Sequence, residues 1–518
     1  MRAISRWILV FFTVPVWVSG QVTVPMAQYD YERTGANLQE RILNPSNVEP
    51  NRFGKLFSRS VDDSVYALPL IVSNLNIAGR RRNVMFVATM GNTVYAFDSD
   101  DPAAAAPLWS RNLGTPAPGD NFIGPVHHGI LGTPFIDVPS NTLYVVALIQ
   151  KGDESNLWVN ALDIVTGLPK YGSPQLMSFP FDGPEGTLTR VNGALQRAGL
   201  LVSNDVLYVA VANVVPDPKD QHWSQEGFLQ TFNARDLSKR LAVFQTTPTG
   251  RKGGIWQGGR GIAADTAGNI YLSTAGGYYD GVRNFGSSTL KFNGPSLKIA
   301  DWFTPQNHEY LFLQNIDMSA GGVTLIPDSP FMFSGGKEGV IFLLDRNAMG
   351  KLEGTNAGPL QRFQAGYGCG QRDCANTLGT AFWRRDNDGM LYVWDRRDVL
   401  RAYRFVNDRF LMIPSAVSSV TVGQTGGPSV SANGSDVTSG IVWAVTTDAA
   451  RTGGLNAGTL RAFRASDVSQ ELYNSDMNAA RDELGMFTRM APPVVANGKV
   501  YVPTQGKSVV VYGLLQRP

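Results

Sequence analysis

The stretch "NVMFVATMGNTVYAFDSDD", Asn83 to Asp101, decides the fold. An apolar run closes on Gly91-Asn92, a pair that tolerates positive φ and suits a tight turn. A second β-branched and aromatic run, Thr93 to Phe97, then ends on Asp98. Two strands joined by a hairpin are the reading, and the same grammar recurs along the chain.

It returns as "NTLYVVALIQ" with "LWVNALDIVTG" (Leu157 to Gly167), "DVLYVAVANV" with "FLQTFNARD" (Phe228 to Asp236), and "GNIYLSTAGG" with "STLKFNG". Further copies are "PFMFSGG" with "GVIFLLDRN", "GMLYVWDRR" with "VLRAYRF", "GIVWAVTTD" with "TLRAFRASD", and "GKVYVPTQG" with "SVVVYG". Each is preceded by a small-residue segment such as "LGTPFID" or "APPVVANG" and followed by a variable strand such as "PLWSRNL". That makes a four-stranded antiparallel blade. Eight such blades in a ring predict an all-β, eight-bladed β-propeller, with seven blades as the alternative because the fifth unit is irregular. The last unit lacks a fourth strand, while "FGKLFSRSV", Phe53 to Val61, is an extra strand ahead of the first; the N-terminal strand is expected to complete the C-terminal blade. The repeated Asp98, Asp163 and Asp345 end strands at equivalent places and read as turn residues.

A chain of 518 residues would ordinarily divide into several domains. The repeat predicts instead one propeller over 21–518, and the composition agrees: 17% charged residues against 55 Gly and 30 Pro is a turn-rich β chain. A formal charge of +2 and no basic block beyond "GRRRN" (Gly79 to Asn83) argue against nucleic acid as a partner. At the N-terminus, Arg2 and Arg6 precede an apolar run from Trp7 to Val18 and the small-residue site Val18-Ser19-Gly20. This reads as a signal peptide over 1–20, the run being shorter than the ~20 residues a span needs. A secreted or periplasmic, monomeric protein without a membrane span in the mature chain is expected. Export favours a disulfide between Cys369 and Cys374, with free or metal-binding thiols as the alternative. His127 and His128 are adjacent on a strand and point to opposite faces, against a shared metal. Asn433-Gly434-Ser435 is a glycosylation sequon only in a eukaryotic host.

"QYDYERTGANLQERILNPSNVEPNRFGKLF", "ALDIVTG" and "PPVVANGKVYVPTQG" resemble the pyrroloquinoline quinone (PQQ)-type propellers, the quinoprotein alcohol dehydrogenase-like superfamily. "HHGILGTPFIDVPSNTLYVVAL", "GGKEGVIFLLDRNAMG" and "PSVSANGSDVTSGIVWAV" resemble a branch of secreted PQQ-like repeat proteins. In the dehydrogenases the quinone lies on Ca²⁺ in the axial channel, between a Trp and a disulfide of adjacent cysteines, and an Asp is the base. The resemblance places Asp317 at the catalytic position and Lys337 beside the quinone oxygens, with Trp256 as the stacking residue. A base and a cation suit hydride transfer from an alcohol. Plainer readings stand beside these: Asp317 as a turn residue, Lys337 in an exposed ion pair with Glu338, and Trp256 as packing between blades.

Departures weaken the Ca²⁺ site. Gly276 stands where an Asn amide ligand is expected, and His222 where an acidic ligand is expected. No adjacent cysteine pair and no Cys-x-x-Cys-His motif occur, and Trp256 lies about three residues too far from Asp265. Hydrolase and nucleotide-binding motifs are absent. Two functions follow: an exported propeller that binds a small molecule, protein or glycan through its channel and rim loops, or a divergent quinoprotein oxidoreductase. The loops "PDPKDQHWSQEG" (Pro216 to Gly227) and "NHEYLFLQNID" are expected to line a channel mouth if a cofactor binds.

Overall fold

The computed structural model describes residues 21–516 apart from 120–126, 182–186, 189–193, 215–225, 356–357, 369–377 and 449–455. The opening stretch forms Arg80–Ala88 and Thr93–Asp98, which pair antiparallel with Val84 opposite Asp98. They are the second and third strands of blade 1, between Leu70–Ile77 and Trp109–Asn112. Seven more sheets repeat that order. The innermost strands of blades 2 to 8 are Phe135–Asp137, Leu201–Ser203, Ala263–Ala264, Val323–Leu325, Gly379–Arg384, Val422–Ser431 and Val494–Ala496. The count is therefore eight. The irregular fifth unit forms a regular blade whose connection, Lys351–Leu352, departs to pair with the outer strand of blade 4.

Ring closure follows the expected route, with Phe53–Ser60 pairing antiparallel with Ser508–Leu514 as the outer strand of blade 8. Alternation along each strand then builds the core. In blade 2, Leu143, Val145 and Ala147 pack toward blade 1, whereas Tyr144, Val146 and Leu148 pack toward blade 3. Each of the eight blade-to-blade interfaces holds its own apolar cluster. Tyrosines of the second strands add polar ties. The Tyr144 hydroxyl donates to the Ala234 carbonyl at 2.8 Å and that of Tyr392 to the Ala465 carbonyl at 2.7 Å, each in the following blade. The strand-ending aspartates are turn residues as expected: Asp98 and Asp163 each accept two backbone N–H groups of the following turn, and Asp345 accepts one.

One end of the axis is filled by residues 24–37, which bond to every blade in turn. The Val24 N–H donates to the Ile71 carbonyl in blade 1, Ile136 of blade 2 donates to the Pro25 carbonyl, and Arg33 reaches the Leu200 carbonyl of blade 3 at 3.5 Å. Backbone N–H groups of Ala264, Leu325, Phe382 and Val430 donate to carbonyls of Tyr31, Glu32, Thr34 and Gly35, joining blades 4 to 7. The Val495 N–H donates to the Tyr29 hydroxyl at 2.8 Å and completes the set at blade 8. Gln28, Tyr29 and Arg33 take positive φ to follow this path. A segment of irregular backbone is thus buried with its polar groups satisfied by the ring around it.

Candidate functional site

The opposite end of the axis is assembled from the segments that enter each innermost strand and from the hairpins between second and third strands. Asp317 precedes a short 3₁₀ turn, Met318–Ala320, that leads into the inner strand of blade 5. Lys337 lies on the hairpin of the same blade, between Phe331–Gly335 and Val340–Asp345. Gly336 permits their approach, since a Cβ there would stand 2.2 Å from the Asp317 carbonyl oxygen. The Lys337 ammonium forms a short ion pair with Asp317 Oδ2 and donates to the Asn315 carbonyl at 3.1 Å. Asp317 Oδ1 accepts the Gly276 N–H at 3.2 Å. Lys337 is thus engaged inward, rather than across the hairpin with Glu338, which accepts a bond from Asn307.

Beside this pair lies Lys252, with its ammonium 5.7 Å from the centre of the Phe312 ring. Burial holds its pKa below the ordinary lysine value; the Asp317 carboxylate opposes that shift and the Lys337 ammonium adds to it. Glu226 is buried at the neighbouring strand edge, bridged to Gly253 and hydrogen-bonded by Gln245. Burial pushes its carboxyl up to about 7, against the opposing Gln245 bond.

Nearer the axis, Arg197 is buried and donates to the carbonyls of Leu131 at 3.1 Å, Met490 at 2.7 Å and Arg489 at 3.4 Å, crossing from blade 3 to blades 2 and 8. Its guanidinium stands 6.0 Å from the Tyr66 ring, and burial lowers its pKa to about 10. Arg489 is half-buried and senses both Tyr66 and Arg396, so three guanidinium groups share this region. The Tyr66 hydroxyl accepts from Gln505 Nε2 at 2.8 Å. Trp256, partly buried, packs on Tyr66, Met90, Leu131 and Leu195, an axial apolar cluster to which blades 1 to 3 contribute.

Of the residues singled out in the sequence, Asp317 and Lys337 are in direct contact, and Trp256 belongs to the axial cluster. His127 Nδ1 lies 2.7 Å from Asp63 while His128 is buried, so the two rings part as strand alternation requires. His222, Cys369 and Cys374, residues 1–20 and most of the Pro216 to Gly227 loop lie outside the described residues. "NHEYLFLQNID" contains a short helix, His308–Leu313. Lys252, Glu226, Arg197 and Arg489 were not foreseen. Aligning the units at their inner strands exposes the two arginines, since Arg197-Ala198-Gly199 and Arg489-Met490-Ala491 each enter such a strand.

The divalent cation of the dehydrogenases does not fit the described residues. Ca²⁺ takes six to eight oxygen ligands, and Asp317 already holds the Gly276 N–H on one oxygen and Lys337 on the other. No group of three or more His, Cys, Asp or Glu able to hold a metal occurs among the described residues. The expected amide ligand is absent from the sequence, and the space around Gly276 is tight. A Cβ on Gly276 would stand 3.1 Å from Phe312 Cα and 3.3 Å from the Leu311 carbonyl oxygen. Gly276→Asn is therefore expected to lower stability by about 1–3 kcal/mol through overpacking and to create no Ca²⁺ response. Melting curves with and without Ca²⁺ check both.

No known family's sequence profile matches the chain, and no curated protein matches it in sequence. Solved structures do match. The quinohemoprotein alcohol dehydrogenase ADHIIG from Pseudomonas putida HK5 is similar over 96% of this chain and 81% of its own, with a TM-score of 0.59 and 12% identity. The quinohemoprotein alcohol dehydrogenase from Comamonas testosteroni gives 0.57 and 13% over 96% and 81%. A europium-containing methanol dehydrogenase gives 0.59 and 13% over 95% of this chain and 98% of its own. The chain has the eight-bladed propeller fold of these quinoprotein dehydrogenases; at such identities the likeness is one of fold. Among the described residues no helix is long and apolar enough to cross a membrane.

Buried carboxyls also set a pH dependence. Burial raises Asp30 to about 6 and Glu226 and Asp395 to about 7. Each folded-state value lies above the unfolded one, so each contributes stability that is complete below about pH 4 and lost as pH rises through 6 to 7. The loss is on the order of 3 kcal/mol per group. Melting temperature is expected to fall between about pH 4 and 7, with a shallower slope in Glu226→Gln. A flat profile, or an unchanged slope in the variant, would contradict this.

Proposed function

We propose that this chain is an exported propeller that binds a small carboxylate-bearing molecule at its axial mouth, acting as a binding protein. The observation that supports this reading is the gathering of Arg197 and Arg489 around Tyr66, with Arg396 near Arg489 and Trp256 on the same apolar cluster as Tyr66. Guanidinium groups match carboxylate geometry and stack on aromatic faces, and an aromatic base with convergent polar groups is the usual make-up of a small-molecule site. Export rests on the signal-like N-terminus.

A second reading, a divergent quinoprotein oxidoreductase, is favoured by the contact between Asp317 and Lys337. It sets a carboxylate beside a cation, as base and charge stabiliser. One experiment separates the two. The purified mature chain is titrated with PQQ in EDTA and in Ca²⁺, followed by Trp fluorescence, and assayed for dye-linked oxidation of alcohols and aldoses. Saturable quenching without turnover supports the binding protein, and turnover that disappears in Asp317→Ala supports the oxidoreductase. Absence of quenching by PQQ and by benzene-1,3,5-tricarboxylate at high micromolar concentration would retire the axial-mouth reading.

A further inference from the structure

At this mouth the oxygens of the Asp317 carboxylate are taken up by side chain and backbone of the chain itself. Helix His308–Leu313 closes on Gly276, and Gly276 turns its N–H onto Asp317 Oδ1 at 3.2 Å. The other carboxylate oxygen is held by Lys337. Lys252 comes in from the adjoining strand edge, bridged to Gly277 and lying over the Phe312 ring, within the electrostatic reach of both Asp317 and Lys337. Lys337 is ion-paired to Asp317 and Lys252 lies within electrostatic reach of both, with the Glu226 carboxyl at the neighbouring strand edge.

The backbone at Lys252 is left-handed. Its φ is 63°, in the left-handed region where glycine is favoured, and Gly253 follows at 82°. Such values recur at turns throughout the chain, and glycine at position 252 would adopt this one without strain. Gln257 and Met490, also at the axial mouth, share the same conformation.

We propose that Lys252 and Lys337 supply, as fixed ammonium groups beside Asp317, the positive charge that a bound divalent cation would otherwise bring, so that the mouth takes a carboxylate-bearing ligand without metal. An ammonium on a flexible stem is a compact point charge suited to that role, and preorganised charge in a partly buried site acts more strongly than in water. This inference rests on the axial-mouth reading for its ligand and stands apart from it for its cation.

The test therefore has two arms. In the first, the melting temperature of the full chain is compared in EDTA, Ca²⁺ and La³⁺, and sensitised Tb³⁺ luminescence is recorded. Equal melting temperatures and no saturable luminescence are expected; a saturable response to any of these ions overturns the proposal, whatever the ligand result. The second arm measures PQQ affinity in EDTA for the wild type, Lys252→Gly and Lys337→Met. Lys252→Gly is expected to melt at or above the wild-type temperature, its backbone strain relieved, while binding at least about tenfold more weakly. Lys337→Met is expected to bind more weakly and to melt lower, because it leaves Asp317 without its ion-pair partner. Undiminished affinity in Lys252→Gly overturns the proposal, as does wild-type binding that requires Ca²⁺. If the wild type binds no PQQ under any condition, it is the axial-mouth reading that fails, and the cation arm alone decides the inference.

Discussion

Arg33→Leu is expected to lower the stability of the folded chain by about 3–5 kcal/mol. Arg33 is fully buried, and its guanidinium donates from Nε to the Ile262 carbonyl at 2.9 Å and from Nη1 to the Ala27 carbonyl at 2.7 Å. Its own carbonyl accepts from Arg260 Nη2 at 2.6 Å and Thr324 at 3.1 Å. A shorter, apolar chain leaves at least two buried carbonyls unpaired, each costing about 1–3 kcal/mol. Arg33→Lys is expected to recover only part of the loss, because an ammonium cannot present the planar fork that reaches both carbonyls. Chemical denaturation of the three proteins measures this. A variant within 1 kcal/mol of wild type, on the order of an ordinary surface substitution, would mean that residues 24–37 lie on the ring without holding it.

Phe53→Ala is the second large effect, expected at about 3–5 kcal/mol. Phe53 opens the strand that closes the ring and is fully buried. Its ring centre lies 5.4 Å from that of Trp443 and 5.0 Å from that of Tyr473 in blade 7, and 6.4 Å from that of Tyr512 in blade 8. Truncation opens a cavity between blades 7 and 8, and blade 8 is the one built from both N-terminal and C-terminal strands. Early proteolysis near residues 53–60 is expected to accompany the loss, since the strand's partners are far away in sequence and its detachment opens blade 8 alone. Comparable destabilisation with cleavage spread over all blades would contradict the closure account.

The architecture was legible in the sequence because each blade repeats one local rule. Runs such as "NTLYVVAL" carry strand period and turn chemistry within a dozen residues, and the orphan strand at Phe53 could be matched to the incomplete last unit. The axial filling of residues 24–37 was not legible as structure. Its bonds run mainly from backbone to backbone, to eight segments of different sequence, so no side-chain pattern announces them. At the mouth, Asp317 and Lys337 were found through resemblance, and their contact depends on Gly336, whose role is visible only in the close approach of two turns. Lys252, Arg197 and Arg489 belong to no motif. Arg197 and Arg489 meet only when blades 3 and 8 converge on the axis, and Lys252 comes near Asp317 only where blades 4 and 5 adjoin, consequences of ring closure rather than of spacing along the chain.

The most direct measurement is the affinity of wild-type and Arg489→Gln protein for PQQ in EDTA, read from Trp fluorescence together with melting temperature. Arg489 is the half-buried arginine of the axial set, whereas Arg197 and Arg396 are buried. The account predicts saturable binding by the wild type and at least about tenfold weaker binding by the variant, at equal melting temperature. Equal affinities, or binding that needs Ca²⁺ in both proteins, would contradict it.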